Sequence, residues 1–173
     1  MKSLFLIITL YGTFIYGSPH LDEKQQFWEM LSYLRSSPSN KWCIMGDSDI
    51  VVALDDKLGG SPFDLDKTRF YLDFIDCSSL VEIHIKGGSF TWYNHRKDGD
   101  TILEKLDIIL SSIAWSISFP KAFGVMDVDI ASDHSLIFLL LHGIHNRRVN
   151  STSRVRNNQG EWLEHDPSIA SYF

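Results

Sequence analysis

A chain of 173 residues with 44% hydrophobic and 13% aromatic residues has enough apolar surface to bury one domain-sized core, which excludes a largely disordered protein. Its formal net charge of -6 and pI near 5.6 deny it the basic excess of a strong nonspecific nucleic-acid binder, although an enzyme can still meet phosphate through a metal ion. Cys43 and Cys77 lie far apart with no metal-ligand spacing, which predicts two reduced thiols in the core.

The opening run MKSLFLIITLYGTFIYGS has one lysine, an apolar stretch and small residues after it, the outline of a secretory signal peptide. Phe5, Leu6, Ile7, Ile8, Thr9, Phe14, Ile15 and Tyr16 equally suit a buried β-strand, and cleavage near Gly17 or Ser18 would put Ile15 or Tyr16 where a small residue is preferred. The run is too short, and too interrupted by Gly12, for a membrane span. DEKQQFWEMLSYLRSS then places Phe27, Leu31 and Leu34 on one helical face, with Asp22 and Glu23 in the first turn, Arg35 near the end and Ser36-Ser37-Pro38 as the stop. Trp42 to Met45 is a short apolar strand closing on Asp47. ALDDKLGGSP reads as loop, and DLDKTRFYLDFIDC returns to helical spacing through Phe70, Phe74 and Cys77. Val81, Ile83 and Ile85 alternate as in a half-buried strand, KGGSFTW turns into another strand, ILEKLDIIL continues the pattern, and HSLIFLLL makes the last one. Helices interleave with strands, so an α/β or α+β fold is expected, with acids at the strand ends where ligands bind in such folds.

Those acids are Asp47 with Asp49, Asp107 and Asp133, the last beside His134. Asp107 stands out: flanked by Leu106, Ile108 and Ile109, its carboxylate must either point outward or be held by a partner, because burying an unpaired charge is costly. An Asp bonded to a His fixes the ring tautomer and makes a base or a phosphate contact, while a further carboxylate can hold Mg²⁺. Together these are parts for phosphate-ester hydrolysis. Each has a bland counterpart: Asp133 as a cap, Asp107 as a solvated residue on an open sheet face, and Asp47 as a turn residue beside Gly46. His20, His84, His95, His142, His145 and His165 have no assignable partner and read as ordinary histidines.

FIYGSP, FWEML, WCIMGDSDI, DDKLGG, FTW, EKLDIIL and SDHSLI, in that order across residues 11–141, resemble the endonuclease/exonuclease/phosphatase superfamily, above all the endonuclease domain of plant non-LTR retrotransposon polyproteins. The resemblance implies a four-layered α/β sandwich, hydrolysis of phosphodiesters with Mg²⁺ or Mn²⁺, and DNA as the partner. It also implies roles. Tyr16 binds or orients the scissile phosphate, Asp47 orients or deprotonates the attacking water, Asp107 pairs with the catalytic His134, and Asp133 belongs with the metal site.

The departures bear on activity. Asp49 stands where the family has a phosphate-binding Asn that donates a hydrogen bond to the transition state. A second carboxylate roughly 4 Å from Asp47 would repel it by about 4 kcal/mol at an effective dielectric of about 20, unless a cation neutralises it or it holds a proton. Ser48 replaces the motif's Phe, which predicts thinner packing, Ile108 replaces a common Arg after Asp107, and Lys24 stands where Arg is common. No acid precedes Asp22, so the family's principal metal-ligating Glu has no counterpart. This implies an N-terminally truncated domain over residues 1–141, with one sheet incomplete, an apolar face exposed, and weak or absent activity.

Residues 142–173 are mostly polar and read as a tail. Asn158, Gly160, Trp162 and Tyr172-Phe173 are similar to the segment that precedes a reverse transcriptase in those polyproteins. The resemblance favours an internal strand over a signal peptide at the N-terminus, and thus an intracellular or nuclear location over secretion; the Asn150-Ser151-Thr152 sequon matters only in a secreted chain. Two alternatives stand beside the divergent hydrolase: a non-catalytic remnant, and a secreted globular protein if the opening run is a signal peptide.

Overall fold

The computed structural model describes residues 10–34, 40–97, 99–127 and 132–141. Within them the chain runs β1 (Tyr11–Tyr16), α1 (Leu21–Tyr33), β2 (Trp42–Asp47), β3 (Lys57–Leu58), α2 (Arg69–Ser78), β4 (Leu80–Glu82), β5 (Ile85–Lys86), β6 (Trp92–Tyr93), β7 (Leu103–Glu104), β8 (Asp107–Ser112), α3 (Ile113–Ser118), β9 (Phe123–Asp127) and β10 (Leu136–Leu140). It is a mixed α+β architecture built on open sheets. The main sheet has the order β1-β2-β8-β4, a second has β10-β9-β5, and a small third has β3-β7-β6.

The central strands β2 and β8 of the main sheet are covered on both faces, while the outward side of the edge strand β1 leaves Phe14 and Tyr16 exposed, and strand alternation divides the buried side chains between two cores. Ile15, Ile44, Ile108 and Leu110 point towards α1 and α2, where Trp28, Leu31, Tyr71 and Phe74 complete the first core. Trp28 stands edge-on to Tyr71 with ring centroids 4.8 Å apart, an arrangement that adds about 0.5–1.5 kcal/mol beyond area burial. On the other face Cys43 and Ile109 meet Ile83, Ile85, Trp115 and Met126 beneath the second sheet. Burial pushes the Cys43 thiol up to about 11, so it is an inert core group.

The helices present faces turned slightly from those expected. In α1 the buried pair is Trp28 and Leu31, with Phe27 half-buried and Leu34 exposed just past the last turn. In α2 it is Tyr71 and Phe74, and Cys77 is exposed, which corrects the expectation of two core thiols. The large Trp28 and Tyr71 rings set the helix rotation because they carry the most area to bury. Arg35 and the Ser-Ser-Pro stop lie outside the described residues.

Two strand expectations also need correcting. The run through Val81, Ile83 and Ile85 is not one strand: Leu80 is buried and Val81 exposed in β4, after which the chain crosses to the second sheet and Ile85 opens β5. The Ile83 amide still bonds to the Ile109 carbonyl at 2.8 Å, while the His84 carbonyl already accepts from Gly124 at 2.9 Å. The expected loop at residues 53–62 contains a 3₁₀ turn, Leu54–Asp56, and strand β3. The opening run is a strand from Tyr11 to Tyr16, pairing in parallel with β2, whereas Phe5 to Thr9 lie outside the described residues. Residues 142–173 lie outside them as well. Among the described residues no helix is long and apolar enough to cross a membrane.

Candidate active site

The site begins with strand register. Tyr16 pairs with Asp47 across β1 and β2, and Asp47 pairs with Asp107 across β2 and β8, so the three residues form one row on one face at one end of the main sheet. Burial along the row follows the order of the strands. Asp107 on the inner strand is 7% exposed, Asp47 is half-buried, and Tyr16 on the edge is 82% exposed.

Asp47 is aimed by its neighbours. Gly46 before it has φ +133, and a Cβ there would sit 2.2 Å from the Ile15 carbonyl oxygen, so β1 and β2 can approach only over a glycine. After it the chain turns sharply: Asp47 Oδ1 accepts the Asp49 amide at 2.8 Å, and Asp49 adopts a left-handed φ of +49, a conformation that Asn and Asp tolerate best. Ser48 is fully buried, and its hydroxyl donates to the Leu106 carbonyl at 2.6 Å and accepts the Ile50 amide at 3.3 Å. Ser48 thereby ties the turn to the segment that leads into β8.

Two carboxylates facing each other across a ladder are destabilising unless a cation joins them. His134 takes that place. Its Nδ1 lies 3.1 Å from Asp107 Oδ2 and its Nε2 lies 3.8 Å from Asp47 Oδ2. The bond to Asp107 raises the His134 pKa above 6.5 against the opposing effect of burial, and Asp47 adds to the rise. Burial raises the Asp47 carboxyl above its ordinary value, opposed by the Asp49 amide and by His134. With Nδ1–H donated to Asp107, the ring holds Nε2 towards Asp47. The ring and the Asp47 carboxyl, both with raised pKa, thus lie side by side in the arrangement an acid–base pair needs.

The FTW segment, whose threonine had no expected role, holds this geometry together. Thr91 is buried, and its hydroxyl oxygen accepts both the Leu106 amide at 3.0 Å and the Asp107 amide at 2.9 Å. Its carbonyl accepts the Ser135 amide at 2.8 Å, and the Tyr93 amide donates to the Asp133 carbonyl at 2.9 Å. The stretch Thr91-Trp92-Tyr93 therefore fixes the strand bearing Asp107 and the loop bearing His134 together. His95 adds a contact between its Nε2 and the Ser132 carbonyl at 3.2 Å. FTW stood out in the sequence as a turn into a strand and as one fragment of the resemblance, but periodicity gives no sign that its threonine braces two other segments.

Asp49 and Asp133 stand differently from the other acids. Lys24 on α1 reaches Asp49 Oδ2 at 2.9 Å and also donates to the Asp49 carbonyl. The cation needed to neutralise the second carboxylate is present, so the full repulsion on Asp47 does not arise. Asp133 is exposed and accepts the Trp92 indole N–H at 3.0 Å, a bond that lowers its pKa. Among the described residues no three His, Cys, Asp or Glu side chains are grouped to hold a metal ion. These side chains do not by themselves form a metal cage.

No protein-family model matches this chain, and no curated protein does either. The site therefore stands on its geometry. Tyr16, Asp47, Asp107 and His134 come together, Asp49 joins through its amide and its lysine, and Asp133 is held at the rim by Trp92.

Proposed function

We propose that this cluster is a phosphodiester-hydrolysing site of the endonuclease/exonuclease/phosphatase type, derived from a retrotransposon endonuclease and working slowly on DNA. The observation that carries the reading is the His134 ring bridging Asp107 and Asp47, in the same sheet row as Tyr16. Asp107 orients the ring, the protonated ring offers a donor to a phosphate oxygen, and Asp47, its pKa raised, takes a proton from the attacking water. The exposed Tyr16 hydroxyl offers a further phosphate contact. In this proposal the helix layer and two sheets belong to a four-layered sandwich, and Asp133 would hold Mg²⁺ or Mn²⁺, which would supply positive charge for the phosphate.

Incubation with supercoiled plasmid in Mg²⁺ or Mn²⁺ tests it. Slow nicking that is lost in His134→Ala is the expected result, and a wild-type rate equal to that of His134→Ala overturns it. The competing reading, a remnant of that fold without catalysis, draws on the absence of a three-ligand cluster among the described residues and on Asp133 being engaged with Trp92.

A further inference from the structure

β1 is the outer strand of the main sheet, and among the described residues no strand pairs with its free side. Edge strands are commonly blunted by lysine, proline or a bulge, because their open amides and carbonyls template another strand. This one has no such protection. YGTFIY carries neither charge nor proline, and its register with β2 runs unbroken from Tyr11 to Tyr16. Phe14 and Tyr16 are each 82% exposed, and Tyr11 is half exposed.

The bonds to β2 fix which backbone groups face outward. The Tyr11 amide donates to the Lys41 carbonyl at 2.9 Å and the Gly17 amide to the Asp47 carbonyl at 2.8 Å. Odd-numbered residues therefore face β2, and the N–H and C=O groups of Gly12, Phe14 and Tyr16 point away from the sheet.

A second copy of the same strand fits this edge. Laid antiparallel about a two-fold axis at Phe14, it sets Phe14 against Phe14 of the second copy and Gly12 against Tyr16 of the second copy, each pair exchanging both hydrogen bonds. The side chains agree with that register. A Cβ on Gly12 would meet nothing within 4 Å, so the Tyr16 ring of the second copy has open space to occupy, and the rings at position 14 meet across the axis. Charge agrees as well, in a chain whose net charge of -6 opposes self-association elsewhere. The row Asp107, Asp47 and Tyr16 would continue into Gly12 and Cys43 of the second copy, so the acids of the two copies never face each other.

We propose that β1 is a dimer interface, joining the main sheets of two copies into one continuous sheet about a two-fold axis at Phe14. Phe14, Tyr16 and Tyr11 offer on the order of 400 Å² of aromatic surface per copy. With the paired backbone the total reaches roughly 1,000 Å², the lower bound for a specific interface, which corresponds to a Kd on the order of micromolar. Dimerisation and hydrolysis are independent readings, and the outcome of one does not decide the other.

The experiment is sedimentation equilibrium of the full chain from about 1 to 200 µM, with hydrogen exchange of the Phe14 and Tyr16 amides at both ends of that range. Wild type should pass from monomer to dimer, and both amides should gain protection as it does. Phe14→Lys and Phe14→Glu alter an exposed position that neither core uses, so each should keep the folded circular-dichroism spectrum. Each should weaken dimerisation at least about tenfold, because like charges then meet at the axis. Mixed in equal amounts, the two variants should pair at least about tenfold more tightly than either does alone. The proposal is overturned if wild type stays monomeric throughout, if assembly continues past the dimer, if either variant dimerises within about twofold of wild type, or if the mixture pairs no better than its components. Amides protected equally at both concentrations overturn it too, because a segment of the same chain then covers the edge.

Discussion

Replacing Lys24 with methionine keeps most of the aliphatic stem and removes the cation that, among the described residues, pairs with Asp49. At the observed 2.9 Å the direct attraction is about 6 kcal/mol at an effective dielectric of about 20. Desolvation of both groups and ordering of the lysine offset most of that, and the pair is neither fully exposed nor fully buried. A net loss of about 1–3 kcal/mol in Lys24→Met follows, between the values for surface and buried pairs. Asp49→Asn keeps the shape and the left-handed backbone, and leaves the lysine its bond to the carbonyl of residue 49, so it should cost no more than about 1 kcal/mol. With Lys24 already gone, the same change should stabilise, because it removes an unpaired carboxylate beside Asp47. Urea unfolding of wild type, both single variants and the double variant measures the coupling, expected at about 1–2 kcal/mol. Additivity within about 0.5 kcal/mol would refute the claim that Lys24 neutralises position 49. The same series bears on chemistry: Asp49→Asn alone frees an ammonium next to the site, so any nicking activity should show tighter substrate binding.

Stability should fall as pH rises above about 6.5. The folded state raises the His134 pKa, so the contribution is complete below the unfolded value of 6.5 and is lost as pH passes through the higher folded value. Unfolding curves across that range should show the decline in wild type and lack it in His134→Gln. Asp47 acts with the same sign in a lower window, above its ordinary 3.8, because its folded pKa is also raised. Thr91→Val leaves the Leu106 and Asp107 amides without their shared acceptor and should cost about 1–3 kcal/mol by urea unfolding. It should also broaden the His134 ring-proton signal as its partner strand loosens; an unchanged stability would remove the brace from the account. Gly46→Ala should prevent soluble folding or cost more than about 3 kcal/mol, since its Cβ would fall 2.2 Å from a backbone oxygen at a strained φ.

The sequence made Asp47 and Asp107 legible for a simple reason. A charged residue at the edge of an apolar run calls for a partner, and the partner is His134, 27 positions from Asp107 in the chain. The Lys24 and Asp49 pair was not legible, because nothing local couples a lysine in a helix to a turn 25 residues later. The central strands β2 and β8 announce themselves as runs of buried residues. The two-residue strands β3, β5, β6 and β7 are too short for any period to register, and their pairing is set by the sheets around them. Helix α3 and strand β9 escaped notice for a related reason: Ile113 to Ser118 holds fewer than two turns around Trp115, and the strand follows it closely. Cys77 was misplaced because helical spacing gives a candidate face but not its rotation, which Trp28 and Tyr71 decide.

The row formed by Tyr16, Asp47 and Asp107 ties the chemistry to the correctness of the fold. Side chains along a strand alternate between the two faces, so a slip of one residue between β2 and β8 would turn Asp107 towards the helices and bring Ile108 round in its place. That slip would bury a lone carboxylate among Trp28, Tyr71 and Phe74 and leave the imidazole without its acid. A misregistered chain therefore loses its main core and the groups of the proposed site in one error. The row serves as a proofreading mark on the sheet, with no misaligned form in which the site survives.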